Sequence, residues 1–295
     1  MIDVFEKLGY DKNDVLLIIH ADDVGMCHSV NEAAFDILLN GDISSCSLMI
    51  PCPWILEAFD FFKSNRDLDV GLHSTFTSEW KFYRWGPVTS KDKVKSLLDE
   101  QGYLWSDSLK VAAHADPDEL GMELESQITR ALRFGVNLSH IDTHMGTVYT
   151  RPEFFKRYAS ISLKHGITPM TIRLTPKIIE WAKRSEGVTI TDDMISFMKN
   201  LNIPKLDVLI TKIPGDEYHD RLKSFVKILE SLEPGKITQI IIHPGLNTEE
   251  LKNIIGSHYI KRYFDYRIVK SQDVKKVYEK KNIHLIGWKD LKKAF

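Results

Sequence analysis

Between Val15 and Trp288 short β-branched or apolar runs alternate with amphipathic helical stretches. Alternation of this kind favours a parallel sheet, because each helix returns the chain to the side from which the next strand starts. The runs are Val15 to Ile19, Ser44 to Ile50, Asp69 to Thr75, Ser139 to Gly146, Met170 to Leu174, Leu206 to Thr211, Ile237 to Ile242 and His284 to Trp288. About eight strands is the number of a TIM-type barrel. The expectation is therefore an α/β fold, a distorted or incomplete TIM-like (β/α) barrel, forming one domain over residues 1–295. No Gly/Ser linker, low-complexity tract or internal repeat marks a boundary.

The intervening helices carry start and stop signals. Ser29 followed by Glu32 has capping-box spacing, and Asn40-Gly41 offers a left-handed stop. Further helices are expected from about Trp54 to Asn65 and from about Pro117 to Phe134, and Pro152 opens another that Gly166 closes. The segment through Trp80, Tyr83, Trp85 and Trp105 is too long for a routine connection and reads as a lid or substrate wall. Trp80 and Trp85 are candidate sugar-binding residues, since such rings suit pyranose faces; they equally serve to pack a long loop.

Ionisable residues recur at strand ends. Asp22 and Asp23 follow the first run, His73 lies near the end of the third, His144 near the end of the fourth, and His243 just after the seventh. In a parallel barrel the loops after the strands build the active site, so these side chains belong at one mouth. Within Ser139-His140-Ile141-Asp142-Thr143-His144, period two puts His140, Asp142 and His144 on one face. Buried without partners, each would cost several kcal/mol, so a metal or a hydrogen-bond network must hold them.

Two imidazoles and a carboxylate with open positions are a common catalytic coordination set, and Asp23, His73 and His144 supply one. Such an ion lowers the pKa of water and polarises a carbonyl, which suits amide hydrolysis. Asp22 is then the candidate general base, its alternative being a loop cap. His243, held at a strand exit by Pro244-Gly245, is the candidate acid for a leaving amine, its alternative being a hydrogen-bonded core histidine. Asp142 and His140 are expected to support the ligands from behind. Arg173 either reaches the mouth to bind a sugar or forms a surface ion pair.

Composition narrows the partners. Hydrophobic residues at 43% and charged residues at 27% are the balance of a soluble globular protein. A net charge of −2 gives no footprint for nucleic acid or an anionic membrane, and Lys275-Lys276 and Lys280-Lys281 read as the wet face of a helix. Three cysteines without a CxxC pair suggest neither a disulfide framework nor a zinc knuckle. With no secretory pattern at the N-terminus and no run of ~18 apolar residues, the expectation is a cytoplasmic protein. Cys27, downstream of two acids, is not a candidate thiolate nucleophile. No G-x-S-x-G, P-loop or GxGxxG pattern is present, which removes the usual serine-hydrolase, nucleotide and dinucleotide readings.

Ile19-His20-Ala21-Asp22-Asp23-Val24-Gly25 resembles the N-A-D-D-[FV]-G opening of the YdjC-like carbohydrate deacetylases, the family that includes chitooligosaccharide deacetylases. Val70-Gly71-Leu72-His73 is similar to its G-[LM]-H strand, His140-Ile141-Asp142-Thr143-His144 to its H-[IL]-D-[ST]-H motif, and His243-Pro244 to its late H-P pair. Leu285-Ile286-Gly287-Trp288 resembles its closing strand, so the likeness spans nearly the entire chain. The resemblance implies a distorted barrel, a divalent ion usually described as magnesium, hydrolysis of acetamido groups on sugars, and a tendency to form homodimers. Zinc is the other ion considered. By resemblance Asp23, His73 and His144 would be ligands, Asp22 the base and His243 the acid. Two departures stand out. The further histidines that often follow the fourth motif are replaced by Met145-Gly146-Thr147-Val148-Tyr149, and His20 stands where Asn is usual. Two rival readings are a metal-dependent phosphoesterase or isomerase acting on a sugar phosphate, and a catalytically silent sugar-binding protein.

Overall fold

A computed structural model of the chain describes residues 4–185 and 190–294. Its strands are β1 (Val15–Val24), β2 (Ser45–Leu48), β3 (Val70–Ser74), β4 (His140–Thr143), β5 (Thr168–Pro169), β6 (Val208–Ile210), β7 (Ile237–Ile242) and β8 (Ile283–Leu285). They form one parallel sheet in the order β5-β4-β3-β2-β1-β7-β6, with β8 beside β1. Among the described residues, the two ends of the sheet meet through one parallel bridge, Ile172 to Leu206. The expected barrel is thus present in distorted form, with a thin seam between β5 and β6.

β1 is the axis of the structure. All ten of its residues are buried, as expected for a strand covered on both faces. Val15, Leu17, Ile19 and Ala21 pack outward in the main core with the surrounding helices. Leu16 and Ile18 point inward and join Phe5, Met170, Leu206, Ile237, Ile286, Trp288 and Leu291. Complete burial of one such aliphatic side chain contributes about 1.5–3 kcal/mol. Period two then carries His20 and Asp22 onto the inner face, so the interior runs from an apolar floor, through an imidazole layer, to carboxylates at the mouth. One edge of β1 pairs with β7 from Leu16 to Ala21. The other is shared by β8 from Val15 to Leu17 and β2 from His20 to Val24.

Several elements differ from the sequence expectation. The fourth strand stops at Thr143, because Met145 and Gly146 take left-handed φ values of 53° and 63° and turn the chain into a 3₁₀ segment. The fifth is Thr168–Pro169 rather than Met170 to Leu174; Pro169 has no N–H for a longer ladder. The last strand ends at Leu285, and Trp288 opens a helix, Trp288–Lys293. Its indole turns into the barrel, stacked on His140 at 5.2 Å and donating to Gln239 Oε1 at 2.9 Å. Ser29 makes no capping box either. The helix His28–Leu39 is capped from outside by Glu250, which accepts the His28 and Ser29 backbone N–H groups and the Ser29 hydroxyl.

The long aromatic segment is not an open loop. It contains 3₁₀ turns at Lys91–Lys93 and Lys95–Leu97 and the helix Ser108–His114. Buried Glu123 ties it down by accepting the Val88 and Thr89 backbone N–H groups, each at 2.9 Å. Cys27, Cys46 and Cys52 are free and buried. Among the described residues no helix is long and apolar enough to cross a membrane.

Candidate metal centre and active site

Neighbouring residues on a regular strand point to opposite faces, so adjacent Asp22 and Asp23 need a special backbone to share one mouth. The register against β2 slips between Ala21 and Val24, the signature of a bulge. There Asp23 adopts a left-handed φ of 68°, a conformation aspartate tolerates better than most residues at a cost of about 1–3 kcal/mol. The strain turns Asp23 toward the same space as Asp22.

Three donor atoms then converge. Asp23 Oδ1 lies 3.5 Å from His73 Nε2 and 3.2 Å from His144 Nδ1, and the two nitrogens are 3.3 Å apart. All three residues are buried. A triangle of this size lets one atom stand about 2.0–2.1 Å from every corner, the distance of a metal ligated by imidazole and carboxylate. Asp23 Oδ1 is itself a buried oxygen with no well-formed hydrogen bond, a state that costs about 1–3 kcal/mol unless something satisfies it. The donor set and the orphaned oxygen fit a divalent cation.

Each imidazole of the triangle is fixed from behind. Asp142, the cross-strand neighbour of His73, holds His73 Nδ1 at 2.7 Å and accepts the Ser47 hydroxyl at 3.0 Å. Glu79 holds His144 Nε2 at 3.2 Å. A carboxylate on the far nitrogen of a ligating histidine sets its tautomer and ring orientation. Asp23 is anchored likewise: Arg262 Nη2 donates to its Oδ2 at 2.5 Å.

These contacts set the charges. Burial opposes ionisation of Asp23, but Arg262 and the two imidazoles hold it well below the usual carboxylate range. Burial opposes protonation of His73, but Asp142 and Asp22 raise it well above its ordinary value. For His144, Glu79 and Asp23 overcome the same penalty and raise it to about 9.

Asp22 and His243 complete the mouth. Asp22 Oδ1 is bound by His20 Nδ1 at 2.8 Å, while Oδ2 faces His73 Nε2 at 3.7 Å and His243 Nε2 at 3.8 Å. The His243 side chain is 41% exposed, and its backbone N–H donates to Asp265 Oδ2 at 3.1 Å. Asp265 is held in turn by Arg221 Nε at 2.7 Å.

The structure therefore brings together Asp22, Asp23, His73, His144 and His243, with Asp142 and His140 in the layer beneath. Arg173 lies apart: its side chain is 53% exposed and its Nε donates to Asp207 at 2.8 Å. Trp85 is buried and donates to the Thr77 carbonyl. Trp80 is half-buried, its ring centroid 6.3 Å from that of His258. Glu79, Arg262 and Asp265 escaped the sequence reading. None falls at a strand end or in a recognisable motif, and Arg262 and Asp265 lie in the helix Tyr259–Val269, where charged residues ordinarily mean a wet face.

A family model described as YdjC-like protein matches residues 16–280. A carbohydrate deacetylase of Thermoanaerobacter pseudethanolicus is 29% identical over 94% of this chain and 99% of its own length. A chitooligosaccharide deacetylase of Yersinia enterocolitica is 30% identical over 56% of this chain and 67% of its own. Among solved structures, a protein of Enterococcus faecalis V583 named for cellobiose-phosphate cleavage superposes with a TM-score of 0.74 at 21% identity. That match covers 94% of this chain and 99% of that one, and it bears on the fold alone.

Proposed function

We propose a function from the premise that this chain belongs to the YdjC-like protein family: it removes the acetyl group from an N-acetylated sugar, releasing acetate and the free amino sugar. Relatives named carbohydrate deacetylase support sugar deacetylation. The observation that carries the reading is the Asp23-His73-His144 triangle with Asp22 Oδ2 and the partly exposed His243 imidazole beside it.

Asp23 Oδ1, His73 Nε2 and His144 Nδ1 would hold the ion. When bound, a divalent cation there supplies polarisation of the amide carbonyl and eases the loss of a proton from water. Asp22 Oδ2 takes the proton from the attacking water, since its partner Oδ1 is committed to His20. His243 Nε2 delivers a proton to the amide nitrogen as the C–N bond breaks, so the amine leaves neutral. Solvent reaches His243 and resets both groups. Buried Arg262 keeps Asp23 anionic throughout.

The resemblance favours magnesium, whereas imidazole donors suit zinc better than magnesium, which prefers oxygen ligands. Metal analysis of the purified protein decides between them. Acetate release from N-acetylglucosamine and its short oligomers, with and without a chelator, tests the function. Release that stops on chelation and returns on adding the metal supports the reading, and release indifferent to complete metal removal overturns it.

A further inference from the structure

One turn of the helix Tyr259–Val269, from Arg262 to Asp265, reaches two parts of the site at once. Arg262 Nη2 donates to Oδ2 of the candidate ligand Asp23 at 2.5 Å, and the carbonyl oxygen of the same arginine accepts the Gly245 N–H at 3.2 Å. Three residues on, Asp265 Oδ2 accepts the His243 N–H at 3.1 Å. Positions three apart lie on one face of a helix, so a single face carries both Asp23 and the exit from β7.

The exit fits that face closely. Pro244 has no N–H, so His243 and Gly245 carry the two backbone donors of this tripeptide, and both are spent on the helix. A Cβ on Gly245 would stand 2.7 Å from Leu251 Cδ2 and 3.3 Å from Arg262 Cβ, so a side chain there would press the exit away from the helix. Asp265 is itself buried and held: Arg221, on the helix Tyr218–Glu230, donates from Nε to Oδ1 at 2.7 Å and from Nη1 to the Ile213 carbonyl at 2.5 Å. Burying two such charges costs about as much as their attraction returns, so the pair is a poor source of stability; what it fixes is place. The His243 imidazole, by contrast, meets Asp22 Oδ2 only at 3.8 Å, beyond hydrogen-bond reach. Where its Nε2 stands depends on the backbone that carries it.

We infer that Asp265, held by Arg221, is the positioning residue for His243. It fixes the strand exit so that Nε2 meets the leaving nitrogen, and the turn from Arg262 to Asp265 sets the spacing between the proton donor and the Asp23 carboxylate. The inference rests on the reading of His243 as acid. Breaking the amide C–N bond leaves an electron pair on nitrogen that must take a proton, whereas the C–O bond of an aryl ester breaks with the pair departing on a phenolate that needs none. A misplaced His243 therefore slows the amide and spares the ester, and an error of about 1 Å in such placement costs about 10²-fold.

Turnover of N-acetylglucosamine oligomers and of 4-nitrophenyl acetate by the same full chain tests this. In Asp265→Asn the one remaining oxygen stays with Arg221, and the new NH₂ group faces the His243 N–H, donor against donor. The ratio of amide to ester kcat should fall about 10–100-fold, while KM for the sugar stays near its starting value. The His243 backbone N–H should also exchange with solvent faster, a readout that needs neither metal nor substrate. His243→Gln sets the scale of the fall. Arg221→Lys keeps a cation beside Asp265 but gives up the fork that spans Asp265 and Ile213; it should lower the ratio by a smaller factor, and it covers the case of an Asn protein that does not fold. A ratio that falls in His243→Gln but holds in both other variants overturns the positioning role and leaves the acid standing. A ratio unmoved by His243→Gln overturns the acid reading, and this inference with it.

Discussion

Glu79 Oε2 lies 3.2 Å from His144 Nε2, on the side of the ring opposite to the nitrogen that faces Asp23. It repeats at the second imidazole what Asp142 does at the first. Removing the partner behind a ligating histidine usually weakens metal affinity by about 10–100-fold. Glu79→Ala should do so in calorimetric titrations with zinc or magnesium. Glu79→Gln, which retains an acceptor oxygen, should recover part of the loss; unchanged affinity in both variants would make Glu79 a bystander.

The division of labour proposed for the two adjacent aspartates gives a sharper contrast. Asp22→Asn should lower kcat for acetate release by about 10²–10⁴-fold while metal affinity changes little, because Asn cannot take a proton. Asp23→Asn should reduce metal affinity itself, because its carboxylate is a corner of the donor triangle. If the two substitutions gave the same profile, the separation of base from ligand would be wrong.

Metal loading should release protons. His144 titrates at about 9, raised by Glu79 and Asp23 against its burial, so it is protonated in the metal-free protein at neutral pH. The ligating nitrogen must be deprotonated, hence apparent affinity should rise with pH up to about 9, roughly tenfold per unit for each proton displaced. Titrations at pH 7 in buffers of different ionisation enthalpy measure this directly. Identical heats in every buffer would mean that no proton leaves.

Gly71 leaves room for the imidazoles of His20 and His140, whose Nε2 atoms meet at 2.8 Å. A Cβ at this position would overlap the His140 ring. Gly71→Ala should therefore destabilise the protein by about 1–3 kcal/mol in urea unfolding. It should also disturb the Asp22 side of the site through His20, lowering kcat more than it raises KM.

Much of this was legible in the sequence for a simple reason. Strand ends in a parallel barrel share one mouth, so His73, His144 and His243 could be placed without knowing any distance. What could not be read was backbone geometry and support from remote elements. Alternation alone would send Asp22 and Asp23 to opposite faces; only the bulge with its left-handed Asp23 reunites them. Arg262 is 239 residues from the carboxylate it holds, and no local pattern distinguishes it from a solvated helix arginine. Arg173 shows the reverse. Its position near the end of a run left the mouth and a surface ion pair equally open, and it pairs with Asp207 beside the thin seam between β5 and β6.

The shared edge of β1 has a consequence for how the protein is made. Residues Val15 to Leu17 wait for Ile283 to Leu285 before their backbone groups are paired on that side, a contact of very high sequence separation that chain-closure entropy delays. Until residue 285 has been made, this three-residue stretch keeps one unpaired edge, while β7 pairs its other side and β2 pairs the strand from His20 to Val24. A truncation before Ile283 should therefore expose that edge for good and aggregate more readily than the full chain.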